Sequence, residues 1–259
     1  MPRFAANLTM MFNEVPFLDR FKAASEAGFR AVEFLFPYEH LPEEVAARAK
    51  AAGVQVVLFN MPAGNWAAGE RGITGLPGRE QEFREGVDKA LMYAEQLGVR
   101  RLHAMAGVAP EGADLAACRA TLIANLKYAA QKLAERNYTL LLEAINTRDI
   151  PGFLVSTQKD SNAICEEVGE RNLKMQMDLY HMQVMEGDLA TSLKRYASRC
   201  GHIQIAGCPE RHEPDTGEIR YEYLFRLIDQ LSYDGWIGCE YRPAGKTTDG
   251  LKWLNSAID

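Results

Sequence analysis

Three acidic residues stand where apolar runs stop. Glu143 closes Leu140-Leu141-Leu142-Glu143, Asp178 closes the run that starts at Leu173, and Glu240 closes Trp236-Ile237-Gly238-Cys239-Glu240. In a fourth run, His202-Ile203-Gln204-Ile205, the polar Gln204 lies between two isoleucines. If these runs are neighbouring parallel strands, the four side chains meet at one end of the sheet. Clustered carboxylates repel one another and raise each other's pKa values, a conflict that a divalent cation removes. Three carboxylates and one amide offer only oxygen, which suits a hard cation, Mg²⁺ or Mn²⁺, in octahedral geometry with positions left for substrate. Zinc is expected to recruit His or Cys instead. One acidic residue at a strand end is commonly a cap or a salt-bridge partner, so the metal reading rests on four such positions in consecutive runs.

Two further residues lie close in sequence to this set. His181, three residues after Asp178, is by itself a structural histidine; beside a metal it could donate a hydrogen bond to a substrate oxygen. Arg211, seven residues after Gln204 and next to the loop residues His212-Glu213-Pro214-Asp215-Thr216-Gly217, is placed to receive a substrate carboxylate. His202 shares the strand parity of Gln204 and is expected to pack in the interior.

The elements that must position these groups are legible as a repeat. The four runs above are preceded by four more, at residues 4–8, 31–35, 54–59 and 102–105. Eight short and nearly continuous apolar runs are what parallel strands buried on both faces look like. Between them lie helical patterns. Leu122, Ile123, Leu126, Ala129, Ala130 and Leu133 share one face, Leu224, Leu227, Ile228 and Leu231 another, and the stripe from Phe83 to Leu97 meets Gly98 as a C-cap. Strand–helix alternation eight times over predicts a single (β/α)8 barrel spanning residues 1–259, with its site at the C-terminal ends of the strands. Eight equal units would be about 32 residues each, an ordinary size for such a barrel. An open nucleotide-binding sheet is disfavoured: no G-x-G-x-x-G follows the first run, and Gly245-Lys246-Thr247 lacks the upstream glycine of a phosphate loop. The long Gly/Pro-rich loop over residues 60–79 carries Trp66 and the Glu70-Arg71 pair; it reads as a packed flap or as a lid over a small polar ligand.

Composition bounds the function class. Of 259 residues 47% are hydrophobic and 25% charged, a globular balance, and the net charge of −6 argues against a nucleic-acid surface. No apolar stretch approaches the roughly 20 residues that cross a bilayer. No charged segment followed by an apolar core opens the chain, so a cytoplasmic protein is expected. Five widely spaced cysteines without a Cys-x-x-Cys read as reduced packing residues, and the sequons at Asn7 and Asn137 as chance.

At these residues the chain resembles the hydroxypyruvate isomerase family, within the xylose-isomerase-like barrels that also include ketose 3-epimerases. The likeness runs over essentially the whole length. It is carried by Val32-Glu33-Phe34-Leu35-Phe36-Pro37-Tyr38, Ala67-Ala68-Gly69-Glu70-Arg71-Gly72, Asp149-Ile150-Pro151-Gly152-Phe153, Asp178-Leu179-Tyr180-His181-Met182, His202-Ile203-Gln204-Ile205-Ala206 and Gly235-Trp236-Ile237-Gly238-Cys239-Glu240-Tyr241. The resemblance implies Glu143 and Glu240 as an acid/base pair that also ligates the metal, with Asp178 and Gln204 completing the ligand set. The related epimerases carry His where this chain has Gln204, which makes the set harder. Asp149 and His181 match substrate-contacting positions of the epimerases, and Arg211 does so after a one-residue insertion; Trp66 and Glu70 are further candidates for substrate binding.

Two activities are implied for the family: interconversion of hydroxypyruvate with tartronate semialdehyde, and of 2-oxo-tetronate with 3-oxo-tetronate. Residues 10–17 and 105–108 resemble the second group and residues 65–71 the first. Both reactions are intramolecular oxidoreductions in which a proton leaves one carbon and returns to its neighbour through an enediolate, with a cation polarising the carbonyl. The competing expectations are a ketose 3-epimerase or sugar isomerase, and a non-catalytic sugar-acid binding protein. An endonuclease on the same barrel would call for a His-rich zinc cluster and a basic surface, against five histidines and a net charge of −6. The expected partners are a small hydroxy-oxo acid and, weakly, further copies of the chain, with no nucleic acid and no membrane.

Overall fold

Each of the eight apolar runs forms a strand in the computed structural model, which describes residues 2–254. Met1 and residues 255–259 of the expected domain lie outside the described residues. In chain order the elements are β1 (Arg3–Asn7), α1 (Phe17–Glu26), β2 (Ala31–Phe34), α2 (Pro42–Ala52), β3 (Gln55–Asn60), α3 (Glu80–Leu97), β4 (Arg101–His103) and α4 (Leu115–Ala134). They continue with β5 (Thr139–Glu143), α5 (Gln158–Val168), β6 (Leu173–Asp178), α6 (Leu179–Met185), α7 (Leu189–Tyr196), β7 (Cys200–Ile205), α8 (Tyr221–Gln230) and β8 (Trp236–Cys239). The strands pair in sequence order, and β8 pairs with β1 in parallel, so the sheet closes into a barrel. Strand ends differ from the apolar runs by one or two residues; Glu240 stands one residue past the end of β8.

The two faces of the barrel wall have opposite chemistry because strand side chains alternate. One parity faces the helices and builds the main core: Phe4 and Ala6 on β1, Leu140 and Leu142 on β5, Ile203 and Ile205 on β7. The other parity points inward. Its lower positions, among them Ala5, Ala31 and Leu141, form a small separate apolar cluster. Two residues further along the same strands come Asn7, Glu33 and Glu143, all buried. The barrel thus has an apolar floor and a polar upper interior.

The helices follow their apolar stripes. Helix α3 buries Phe83, Val87, Leu91 and Ala94 and ends at Gly98, whose φ of 66° is the left-handed cap conformation that glycine adopts without Cβ strain. Helix α4 starts at Asp114, whose carboxylate accepts from the backbone N–H of Ala116 and Ala117. All five cysteines are free. Among the described residues no helix is long and apolar enough to cross a membrane.

Candidate active site

Strand ends and one short helix assemble the site. Glu143 and Asp178 are the last residues of β5 and β6, and the Cα of Asp178 is in register with that of Gln204 on β7, which is in register with Gly238 on β8. Glu240 lies two residues beyond Gly238 and therefore on the same inward parity. Asp178 also caps α6: its Oδ1 accepts from Tyr180 N–H at 2.8 Å, which leaves Oδ2 directed into the barrel mouth. The first turn of α6 brings His181 round to that mouth, with its Nε2 3.5 Å from Asp178 Oδ2 and 3.9 Å from Glu143 Oε1. Glu143, Asp178, His181 and Glu240 are all buried, and each offers an atom within 4.8 Å of the others.

One cation faces these carboxylates. Arg211 donates from Nη2 to Glu240 Oε2 at 2.7 Å and to Asp178 Oδ2 at 3.3 Å, while its Nη1 lies 3.6 Å from Asp149 Oδ2. Its guanidinium also sits over the Tyr180 ring, 4.9 Å from the centroid, and Tyr180 donates its hydroxyl to Asp149. The backbone of Arg211 is left-handed, with φ of 60°, and is clamped by hydrogen bonds from its N–H to Gly207 O and from Arg242 N–H to its carbonyl.

A single guanidinium does not balance the acid groups. Burial holds Glu143 well above the ordinary carboxylate range, and the neighbouring Glu240 and Asp178 push the same way. Burial raises Asp178 against the pull of Arg211, and it raises Glu240 to about 8. Burial, with Arg211 next in importance, holds His181 neutral, well below the usual imidazole range. Glu143 Oε1 is fully buried and has no hydrogen-bond partner among the described residues. An orphaned carboxylate oxygen beside two more acidic groups is the arrangement a divalent cation relieves, so this cluster fits one.

Beneath the cluster lies a second polar layer. Glu33 accepts from Asn7 Nδ2 at 3.0 Å and from Gln204 Nε2 at 2.8 Å, and its other oxygen is 2.7 Å from His202 Nε2. Gln204 Oε1 accepts from Gln176 Nε2 at 2.7 Å, and Asn7 Nδ2 also reaches Glu240 Oε1 at 3.2 Å. His103 on β4 lies 3.7 Å from Glu143 Oε2, and burial pushes it down to about 3, so it is neutral.

Of the residues singled out in the sequence, the structure brings Glu143, Asp178, Glu240, His181, Arg211 and Asp149 together. Gln204 stands at the same strand level, but its amide is engaged with Glu33 and Gln176. His202 packs inside the barrel as its parity predicts. Trp66 and Glu70 stay on the long loop: Trp66 packs against Phe36 and under Arg71, and Glu70 pairs with Arg79 at 2.6 Å and with the backbone of Asn65. None of these contacts reaches the carboxylates. Asn7, Glu33, His103 and Gln176, which the sequence did not single out, each show the sign that marked Gln204: a polar residue inside an apolar run.

A family model described as xylose isomerase-like TIM barrel matches residues 21–257. The chain belongs to the xylose isomerase-like TIM barrel family. Within it, the chain is 59% identical over 254 residues to a 2-oxo-tetronate isomerase of Cupriavidus necator, with 98% of each covered. It is 47% identical over 255 residues to a hydroxypyruvate isomerase of Escherichia coli, covering 98% of this chain and 99% of the relative. A crystal structure from Brucella melitensis, titled AP endonuclease, family 2, superposes with a TM-score of 0.97 at 51% identity, covering 99% of both chains. The resemblance to the hydroxypyruvate isomerase family therefore holds, and this member of the xylose isomerase-like family is an isomerase.

Proposed function

We propose that this xylose isomerase-like barrel interconverts the carbonyl and hydroxyl of adjacent carbons in a small hydroxy-oxo acid by proton transfer. The observation that carries the reading is the convergence of three buried carboxylates, from the ends of β5, β6 and β8, against one guanidinium. The higher identity to the C. necator protein supports 2-oxo-tetronate and 3-oxo-tetronate as the first pair to test, with hydroxypyruvate and tartronate semialdehyde second.

In this reading Glu143, Asp178 and Glu240 hold a divalent cation, Mg²⁺ or Mn²⁺ by the hardness of the oxygen set, with Gln204 Oε1 as a further donor. When bound, the cation polarises the substrate carbonyl and makes the adjacent C–H acidic. Glu143 ends β5 and Glu240 directly follows β8, strands separated by β6 and β7, so the two flank the mouth from two sides. One takes the proton from carbon to give the enediolate, the hydroxyl proton passes to the former carbonyl oxygen, and a carboxylate returns the first proton to the former carbonyl carbon as the new carbonyl forms beside it. Burial and neighbouring acids raise the proton affinity of both in the cation-free site, and a bound cation would draw them back towards the ionised form that a base needs. Arg211 and Asp149 lie at the outer edge of the cluster, where Arg211 can pair with the substrate's own carboxylate and Asp149 can accept from a hydroxyl.

A turnover screen tests this. Three- and four-carbon hydroxy-oxo acids are offered beside neutral ketoses, each with Mg²⁺ or Mn²⁺ and with EDTA. Cation-dependent conversion of an oxo acid is expected. Conversion of neutral ketoses alone would make the protein an epimerase or sugar isomerase, and binding of oxo acids without turnover would make it a sugar-acid binding protein.

A further inference from the structure

Asn146 is fully buried three residues past Glu143, and its side-chain hydrogen bonds go to His181 and to the backbone of Asp149. Its amide orientation is fixed from one side. Asn146 Oδ1 accepts from the backbone N–H of Asp149 at 2.7 Å, and because that N–H can only donate, the NH₂ must point the other way. There Nδ2 lies 2.6 Å from His181 Nδ1, and the Asn146 backbone N–H approaches the same ring nitrogen at 3.4 Å. Two donors on Nδ1 require it to carry the lone pair, so the ring proton sits on Nε2.

The contacts of Nε2 are of both signs. Two carboxylate oxygens lie ahead of it, Asp178 Oδ2 at 3.5 Å and Glu143 Oε1 at 3.9 Å. Arg211 Nη2 is 3.4 Å away and would donate to an unprotonated Nε2. That one long contact belongs to a nitrogen already bound to Glu240 at 2.7 Å, whereas the reverse tautomer would set an N–H on Nδ1 against a donor at 2.6 Å. The closer clash decides.

We propose that Asn146 is a positioning residue that holds His181 as the Nε2–H tautomer, so that the ring faces the carboxylate cluster as a hydrogen-bond donor and not as a metal ligand. With Nδ1 occupied by Asn146 and Nε2 protonated, His181 has no lone pair for a cation, and the cation-binding set reduces to oxygen. Gln204 Oε1 accepts one hydrogen bond from Gln176 and keeps a second lone pair. The use of the Nε2–H to bind a substrate oxygen rests on the isomerase reading; the tautomer itself does not.

The test is a long-range ¹H–¹⁵N correlation spectrum of the protein labelled in its histidine rings, with His181 assigned by its loss in His181→Gln. The expected pattern has a protonated Nε2 and an unprotonated Nδ1; a protonated Nδ1 overturns the proposal. In Asn146→Asp the new carboxylate accepts from Nδ1–H, so the His181 pattern should invert, and an unchanged pattern in the folded variant also overturns the positioning role. Inversion should lower kcat by about 10²-fold, the loss typical of one withdrawn donor to a developing oxyanion. If Asn146→Asp does not fold, the wild-type spectrum decides alone. A protein that turns over no oxo acid would defeat the isomerase reading and leave this spectrum just as readable.

Discussion

Gly238 on β8 and Glu33 on β2 fit together by the absence of a side chain. A Cβ placed on Gly238 would stand 2.3 Å from Glu33 Oε1 and 2.4 Å from Oε2, and that carboxylate is fully buried and bound to Asn7, Gln204 and His202. Gly238 is also in register with Gln204, so the gap lies at the level from which Gln204 faces the site.

Gly238→Ala should therefore destabilise the fold by about 1–3 kcal/mol, the range for overpacking a filled interior. Urea unfolding measures it. The loss should be smaller in Gly238→Ala combined with Glu33→Ala than the sum of the two single losses. Strict additivity would show that the methyl finds room elsewhere.

Glu240→Gln and Glu143→Gln should each lower kcat by about 10²–10⁴-fold, the range for a general acid or base, while the barrel stays folded. Glu143→Gln should also raise the melting temperature of the cation-free protein, because it removes one of three mutually repelling acids, one with an orphaned oxygen. Turnover close to wild type in both folded variants would remove them from the chemistry.

Arg211 holds a left-handed backbone, so its two simplest truncations should differ. Arg211→Ala keeps a Cβ in that conformation and Arg211→Gly does not, which favours the glycine variant by about 1 kcal/mol in urea unfolding. Both should lose kcat/KM on oxo acids to the same degree. Equal stability would mean that the loop relaxes when the guanidinium is gone.

The acid cluster sets a pH dependence whose sign is fixed. Glu240 is raised from an ordinary 4.5 to about 8, and Glu143 and Asp178 are raised as well. The folded state then binds protons more tightly than the unfolded chain. That contribution to stability is complete below about pH 4.5 and is lost as the pH rises through 8. In EDTA the melting temperature should fall between these limits, and Mg²⁺ or Mn²⁺ should restore it most at the alkaline end, where the carboxylates are ionised. The same profile with and without cation would contradict this.

The fold was legible because eight apolar runs alternate with helical patterns and each strand boundary falls within two residues of a run. The acidic ends of β5 and β6 were legible for a related reason: Glu143 and Asp178 close their runs as the last residue of each strand. The inner layer was harder to see. Glu33 sits in an apolar stretch, and nothing local says that it faces inward to meet His202, 169 residues away. The role of Asn146 depends on a loop turn that sets Asp149 N–H against its side-chain Oδ1, a relation that no periodicity carries. Trp66 and Glu70 showed the opposite limit, since a Gly/Pro-rich loop names its residues but not the direction it folds.

The most direct measurement is an equilibrium titration with Mn²⁺, following free ion by electron paramagnetic resonance, for the wild type and for Glu143→Gln, Asp178→Asn and Glu240→Gln. One site per chain is expected, with affinity reduced at least about tenfold in each variant, as for the loss of groups that orient or ligate a metal. Undiminished Mn²⁺ binding in all three folded variants, or no stoichiometric site in the wild type, would contradict the claim that these strand ends hold one cation between them.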